Sequence, residues 1–430
     1  MVRLLGNTKV SLLSFIFCLC IVLYAGMATL FARDLGNVTT VGNFVGVMLT
    51  FMVVMAHRIT LDRNFYVVLL VFFVYGIVTA INNGRFSLLW LSKWPIFFLI
   101  AYTLCHDLKD KLFITIESVI VLLCVISLCL WVIQTINPSA IYSIVKLFEF
   151  SVPYSDDAKI EGNMIVYTLN TTYANKEFLN LFPRNAGFAW EPGAFGSYIC
   201  LGIFCNMLRK NFSFKNNLPL VIMLITLLTT QSTTALAAFA IGMAIWLAVD
   251  RKITYALWII PLVLWIYSLP FVSEKAMTQY GDAVGFTVSQ IDETSDLNRI
   301  QSFVLSWEEF LRHPILGLGG DAGGSWLHQH GYDVSIFSGV GELLSRYGII
   351  MTIVFFIVMY KSCRKINQVY RIRGAYSFIG MFVCIMVGFN NWNQPIYIVF
   401  WLFSYFDSYV LFNVKPNSSI LSKTNSISSI

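Results

Sequence analysis

The sequence predicts an all-α polytopic membrane protein with about twelve transmembrane helices. Three observations carry this. Of its 430 residues 57% are apolar and only 12% charged, with a mean hydropathy of +0.71, whereas a soluble domain carries about 25% charge. Apolar stretches near the roughly 20 residues that a membrane helix needs recur along the whole chain. Basic residues cluster between alternate pairs of those stretches, the pattern that marks cytoplasmic loops.

Taken in order, the spans fall near 10–32, 38–56, 65–81, 88–104, 113–136, 193–208, 217–231, 233–249, 254–272, 337–360, 375–391 and 395–413. The first is too long for a signal-peptide core and lacks a small-residue cleavage site before Arg33, so it reads as a retained helix. One side of the membrane holds Arg3, Lys9, Arg58, Arg63, Lys109, Lys111, Arg209, Lys210, Lys215, Arg251, Lys252, Lys361, Arg364, Lys365, Arg371 and Arg373. The short loops opposite hold only Arg33, Arg85 and Lys93. Both termini are therefore expected in the cytoplasm. Two long loops, 137–192 and 273–336, are expected on the outer, periplasmic face.

Residues 217–249 bear on that count. As one helix they would be overlong and would put the basic segment 361–373 outside. Two short spans joined by a tight turn at Gln231, Ser232, Thr233 and Thr234 keep the charge rule intact. Residues 1–430 thus form a single integral membrane domain, with a Ser- and Asn-rich cytoplasmic tail, 414–430, expected to be disordered.

Composition excludes several classes. All nine cysteines lie in or beside apolar spans, so neither a disulfide framework nor a CxxC metal pair is present. The net charge of +6 is spread over the cytoplasmic loops. With no basic stripe and no aromatic stacking platform, it reports topology, not nucleic-acid binding.

The residues that suggest chemistry sit in the outer loops. The first loop ends in Phe182, Pro183, Arg184, Asn185 and on to Trp190, Glu191, Pro192 and Gly193, where a span begins. Pro192 suits the first turn of that helix, whose free N–H groups can hold an anion. Arg184 could add a bidentate phosphate contact. Glu191 could accept a proton or a sugar hydroxyl, or simply cap the helix and pair with Arg184. Trp190 is a candidate sugar platform.

The second loop contains an amphipathic helix over 296–313. Ile300, Phe303, Val304, Trp307, Phe310 and Leu311 recur at helical spacing, Asp296 is placed to cap it, and Pro314 and Gly317 end it. The expectation is a helix on or over the outer mouth. Its polar face of Arg299, Ser302, Ser306, Glu309 and His313 is expected to be mostly solvated. A glycine-rich run, Leu316 to Gly324, follows but lacks the Gly-Lys-Ser/Thr of a P-loop. His328 and His330 are two apart with no HExxH, which points away from a metal and towards a general base. The segment 273–336 holds nine acidic residues against three Lys or Arg, so any phosphate must be held locally by particular arginines. The outer turn Asn390, Asn391, Trp392, Asn393, Gln394 combines planar amides with an indole. That suits sugar recognition, or an interfacial aromatic belt.

These features resemble the bacterial O-antigen polymerase and O-antigen ligase group. The matching stretches are Arg184 to Gly193, Ser232 to Ala237, Asn298-Arg299-Ile300 with Trp307 and His313 to Gly319, and His330 followed by Glu342 to Gly348. The resemblance implies glycosyl transfer outside the bacterial inner membrane, from an undecaprenyl-diphosphate-linked oligosaccharide, with no cofactor and no metal. It implies Arg184 and Arg299 as diphosphate binders, with Arg312, separated from Gly323 by ten residues, as a third. It implies His330 as the base, with Glu191 and His328 as alternates. Trp190, Asn391, Trp392 and Asn393 remain sugar-binding candidates. Partners expected are the lipid-linked glycan, the bilayer, a chain-length regulator and a flippase.

Ligases of this group carry an arginine directly after the serine of the middle motif, where this chain has Thr233. Their histidine also sits closer to the following glycine than His330 does to Gly348. Both departures, and the Glu191-Pro192-Gly193 segment, favour a polymerase of O-antigen or capsule over a ligase that moves glycan to lipid A core. A transporter or flippase is the reading from another class. Such proteins show internal repeats and charged mid-membrane helices; no clear repeat is visible here, and Arg346 is the nearest case of such a charge.

Overall fold

A computed structural model describes residues 1–5, 8–26, 34–35, 39–84, 88–147, 160–170, 182–250, 299–319, 325–326 and 338–406. The expected span 254–272, His328, His330 and the tail lie outside them. The chain is an all-α membrane protein. Arg63–Asn83, Trp90–Ile136 and Gly339–Tyr370 are helical stretches long and apolar enough to cross a bilayer.

The helices are α1 Leu12–Ala25, α2 Val41–His57, α3 Arg63–Asn83, α4 Leu88–Leu108, α5 Leu112–Ile136, α6 Pro138–Leu147 and α7 Pro192–Lys210. Then come α8 Leu218–Thr230, α9 Thr233–Asp250, α10 Arg299–Arg312, α11 Gly339–Tyr370, α12 Ser377–Gly388, α13 Pro395–Trp401 and the single turn α14 Phe403–Phe406. Local chemistry sets many of the starts. Ser11, Thr40, Asp62 and Ser338 each accept a backbone N–H three residues on, satisfying a donor that the first turn leaves open. Left-handed residues at Arg58, Gly84, Asn211, Gln231 and Arg371 close the other ends. Gln231, with φ 48°, separates α8 from α9, so 217–249 is two helices and not one. At 13 residues α8 spans about 20 Å. The segment 361–370, expected as a loop, continues α11 as helix to Tyr370.

Successive membrane helices alternate between two ends of the molecule. At the loop end α1 finishes beside Phe188, α3 finishes beside Gly317, and α7, α9, α11 and α13 begin. At the basic end Glu117 near the start of α5 meets Arg209 at the end of α7. Glu117 is fully buried and accepts from Arg209 Nε at 2.7 Å, Arg209 Nη2 at 2.5 Å and Asn206 Nδ2 at 2.6 Å, while Asn206 and Asn217 exchange amide bonds.

Two helices form the interior. Every residue of α7 from Pro192 to Leu208 and every residue of α13 is buried, as expected of helices without a solvent or lipid face. Gly196 and Gly202 let neighbours approach α7 closely: a Cβ there would lie 2.4 Å from Ala235 Cβ and 2.7 Å from Ile120 Cγ2. By contrast α3 exposes Leu70, Val74, Ile77 and Ile81, and α11 exposes Ile350, Ile353 and Ile357, apolar surfaces suited to lipid. In the first long loop α6 is followed by an antiparallel hairpin, Ile160–Met164 with Tyr167–Asn170. Tyr167 donates its hydroxyl to Gln134 of α5, and the amide of Thr168 donates to Gly187 O at 2.6 Å, which ties the hairpin to the loop end.

Candidate functional site

The loop-end site is built around the turn Phe389–Gln394 between α12 and α13. Four helices start beside this turn or form its exit. Gly193 in the first turn of α7 lies so close to the Phe389 ring that a Cβ would meet it at 2.3 Å. Gly339, the first residue of α11, would meet Phe389 O at 2.7 Å and Asn390 Cα at 3.3 Å. Thr234 in the first turn of α9 abuts Gly388, and Pro395 opens α13. Each helix start carries partial positive charge and unsatisfied N–H groups, so their grouping favours an anion nearby.

Arg184 reaches this region from the approach to α7. Its Nε donates to Thr230 O, the last residue of α8, at 3.3 Å. The neighbouring Asn185 is buried and fixes the backbone of this segment. It takes a bond from Ser127 Oγ at 2.6 Å, gives one to Thr229 Oγ1 at 3.0 Å, and its amide donates to Thr229 O at 3.0 Å. Gly187 turns the chain with φ +51° and packs under the Phe195 ring. The Trp190 amide donates to Gly26 O at 3.0 Å. Glu191 is the N-cap residue of α7, with Pro192 at the first position, but its side chain makes no capping bond there.

On the turn itself Asn391 is buried and donates to Ser197 Oγ at 2.9 Å, one turn into α7; Tyr397 also donates to that oxygen. Trp392 is 3% exposed. Its ring lies 5.2 Å from both Trp94 and Tyr347 and 5.8 Å from Phe355. Tyr347 OH receives both Trp90 Nε1 and Trp94 Nε1 at 3.1 Å. The structure therefore brings Arg184, Glu191, Asn391, Trp392 and Asn393 to one end of the bundle, around the starts of α7 and α13.

The second long loop is placed by α10, which differs from the expectation of a solvated polar face. Ser302 and Ser306 are fully buried and Glu309 is 2% exposed, whereas Trp307 is 43% and Leu311 59% exposed. The polar face packs against α11, with Ser306 so near Gly341 that a Cβ on the glycine would lie 2.5 Å from Ser306 Cβ. Small side chains permit that approach, while Trp307 and Leu311 turn outwards and Phe310, at the same apolar spacing, is buried. Past α10 the chain docks onto a break in α11 at Gly348, where φ is 66° and ψ −178°. The amides of Leu318 and Gly319 donate to Ser345 O and Arg346 O at 3.0 and 2.8 Å, and Ile349 N donates to Pro314 O at 2.8 Å. Tyr75 OH and Asn83 Nδ2 donate to Leu316 O and Gly317 O from α3.

Arg299 is the first residue of α10; its side chain lies outside the described atoms. Arg312, at the other end of α10, sets its guanidinium 4.5 Å from the centre of the Trp326 ring. Glu309 accepts the Trp326 amide at 3.1 and 3.2 Å, so two charged side chains hold the segment leading to His328 and His330. A cavity of about 410 Å3 lies at the basic end, lined by His57, Arg58, His106, Asp107 and Lys109 among others. It is at the opposite end from Arg184, Glu191 and the 389–394 turn.

Residues 218–343 match the family model for O-antigen ligase. The O-antigen ligase match covers α8, α9, α10 and the first turn of α11, the elements that hold Arg184 at Thr230, start beside Gly388 and bury Ser306 against Gly341. It agrees with the resemblance to the O-antigen polymerase and ligase group. No curated protein matches the chain. The sequence reading quotes Glu342 only within the Glu342 to Gly348 stretch and gives it no role; it is 6% exposed on α11 and paired with Arg346 at 3.2 Å. A carboxylate four residues before an arginine, in the first turns of an apolar span, was the available signal.

Proposed function

We propose that the protein is a glycosyltransferase that joins undecaprenyl-diphosphate-linked oligosaccharide units of an O-antigen or capsule on the periplasmic face of the inner membrane. The observation that carries this is the grouping of four helix starts and Arg184 around the 389–394 turn, within and beside the O-antigen ligase match. A diphosphate leaving group carries its charge in the transition state, and preorganised donors stabilise it there. Arg184 and Arg299 bind that diphosphate, with Arg312 at the edge. The acceptor hydroxyl attacks the anomeric carbon, the bond from that carbon to the phosphate oxygen breaks with its electron pair, and the acceptor proton passes to His330, with Glu191 and His328 as alternates. Trp190, Asn391, Trp392 and Asn393 line the sugar path. An apolar cleft between α3 and α11, lined by Phe72, Tyr75, Trp94, Met351 and Val354, is suited to the start of a polyprenyl chain.

The basic end, by the charge rule, faces the cytoplasm, which puts both termini there and the loop end outside. A flippase then supplies the substrate and a chain-length regulator acts on the product. The second reading is a ligase that transfers finished glycan to lipid A core; the family match is equally consistent with it. Deleting the gene and running the host's surface lipopolysaccharide on a gel separates the two. Core carrying a single repeat unit means polymerase. Bare core, with polymer accumulating on the lipid carrier, means ligase. An unchanged ladder with unchanged capsule sinks both.

A further inference from the structure

Buried polar atoms without partners are costly, and a native site that keeps several of them in one place is built for a ligand that completes them. Glu342 Oε2, Asn390 Oδ1, Trp392 Nε1 and Asn393 Oδ1 are buried and have no hydrogen-bond partner among the described residues. Their positions follow from α11. Gly339 touches Asn390, Glu342 is one turn further on the same face, and Tyr347, just over another turn on, carries the Trp392 ring against it. Glu342 lies near enough to Tyr347 and to Lys93 of α4 to interact electrostatically with both.

We propose that Glu342, with Asn390, Trp392 and Asn393, forms a subsite for the acceptor sugar ring. The set contains an acceptor-only carboxylate oxygen, a donor-only indole N–H and two amides, and hydroxyls that both give and accept bonds match it. The Trp392 ring is packed among Trp94, Tyr347 and Phe355, so it contributes its N–H and not a stacking face. A diphosphate is a poor occupant, because its oxygens only accept and Glu342 repels them. With the diphosphate at the helix starts beside the same turn, the ring held by these four atoms lies next to the reacting centre, and it is assigned to the acceptor. Arg346 pairs with the other carboxylate oxygen, which leaves Oε2 for the ligand. That the sugar arrives as an acceptor rests on the glycan-transfer reading; that a neutral sugar binds here does not.

The test uses full-length protein in lipid nanodiscs. Binding of the oligosaccharide released by mild acid from the host's own surface glycan is measured by titration calorimetry. Transfer is assayed separately, with lipid-linked repeat units from host membranes. Saturable binding is expected, weakened about tenfold or more in E342Q, as for loss of a hydrogen bond to a charged group, and less in N393A. R184A is expected to bind the free glycan as the unaltered protein does while losing transfer. Size-exclusion profiles monitor folding; if E342Q aggregates, N393A, on a half-buried residue, decides. Unaltered glycan binding in both E342Q and N393A overturns the subsite, as does transfer by a protein that binds no free glycan. Binding that depends on Glu342 in a protein that transfers nothing keeps the subsite and sinks the glycan-transfer reading. Neither binding nor transfer sinks both.

Discussion

Gly348 and Ile315 meet backbone to backbone: a Cβ on Gly348 would lie 2.4 Å from the Ile315 carbonyl oxygen. The glycine also adopts φ 66° with ψ −178°, a region that residues with a side chain hardly enter. The break in α11 and the docking of the late loop are thus one feature. Gly348→Ala is expected to destabilise the protein by about 2–4 kcal/mol, adding backbone strain to a clash that neither chain can relieve by moving a rotamer. A lower Tm by circular dichroism in detergent, with faster proteolysis in 299–319, checks it. An unchanged Tm would mean that the strap is not held at this point.

Arg184→Ala and Arg299→Ala are expected to abolish transfer while leaving membrane insertion normal. The lysine variants should recover only part of it, because an ammonium lacks the planar fork that grips two phosphate oxygens. Full activity in both alanine variants would remove the proposed diphosphate site.

Glu117 is fully buried against Arg209. Removing one member of a buried pair leaves the other charge uncompensated, at a cost of about 3–5 kcal/mol. Glu117→Gln and Arg209→Gln should therefore each lower the Tm, and the double variant should lose much less than their sum. A double-mutant cycle in detergent reads this directly; strict additivity would show that the pair contributes nothing.

Trp326 is held at its amide by Glu309 and at its ring by Arg312. Arg312→Gln is expected to remove about 0.5–2 kcal/mol of cation–π attraction and to slow transfer without abolishing it. Arg312→Lys should retain more of it. If Arg312→Gln abolishes transfer while proteolysis near Trp326 is unchanged, the arginine acts on substrate and not on the loop.

The bundle was largely legible in the sequence because its signals are local. Apolar length marks the spans, Pro192 marks the start of α7, and charge alternation argued for splitting 217–249, where Gln231 indeed takes a left-handed turn. The orientation of α10 was not legible. Apolar periodicity tells which face is greasy, but beside a bilayer that face need not be the one that meets the protein. Ser302, Ser306 and Glu309 pack inwards because Gly341 leaves room and because Trp326 supplies a donor. The pairing of Glu117 was equally hidden, since Arg209 lies far along the chain; Glu342 and Arg346 stand four residues apart in one stretch, but the burial of Glu342 was not legible there. The grouping of Arg184, Glu191 and the 389–394 turn depends on four helices starting at one place, which no single segment reveals.

The burial of α7 on all sides reaches into its tolerance of change. Along α3, where Leu70, Val74, Ile77 and Ile81 are exposed, a saturation scan should alternate between permissive and intolerant positions with the period of the helix. Along α7 every position from Pro192 to Leu208 meets protein, so the same scan should return an unbroken band of 17 intolerant positions. The chain can vary freely at its rim, while this one internal strut has little room to drift.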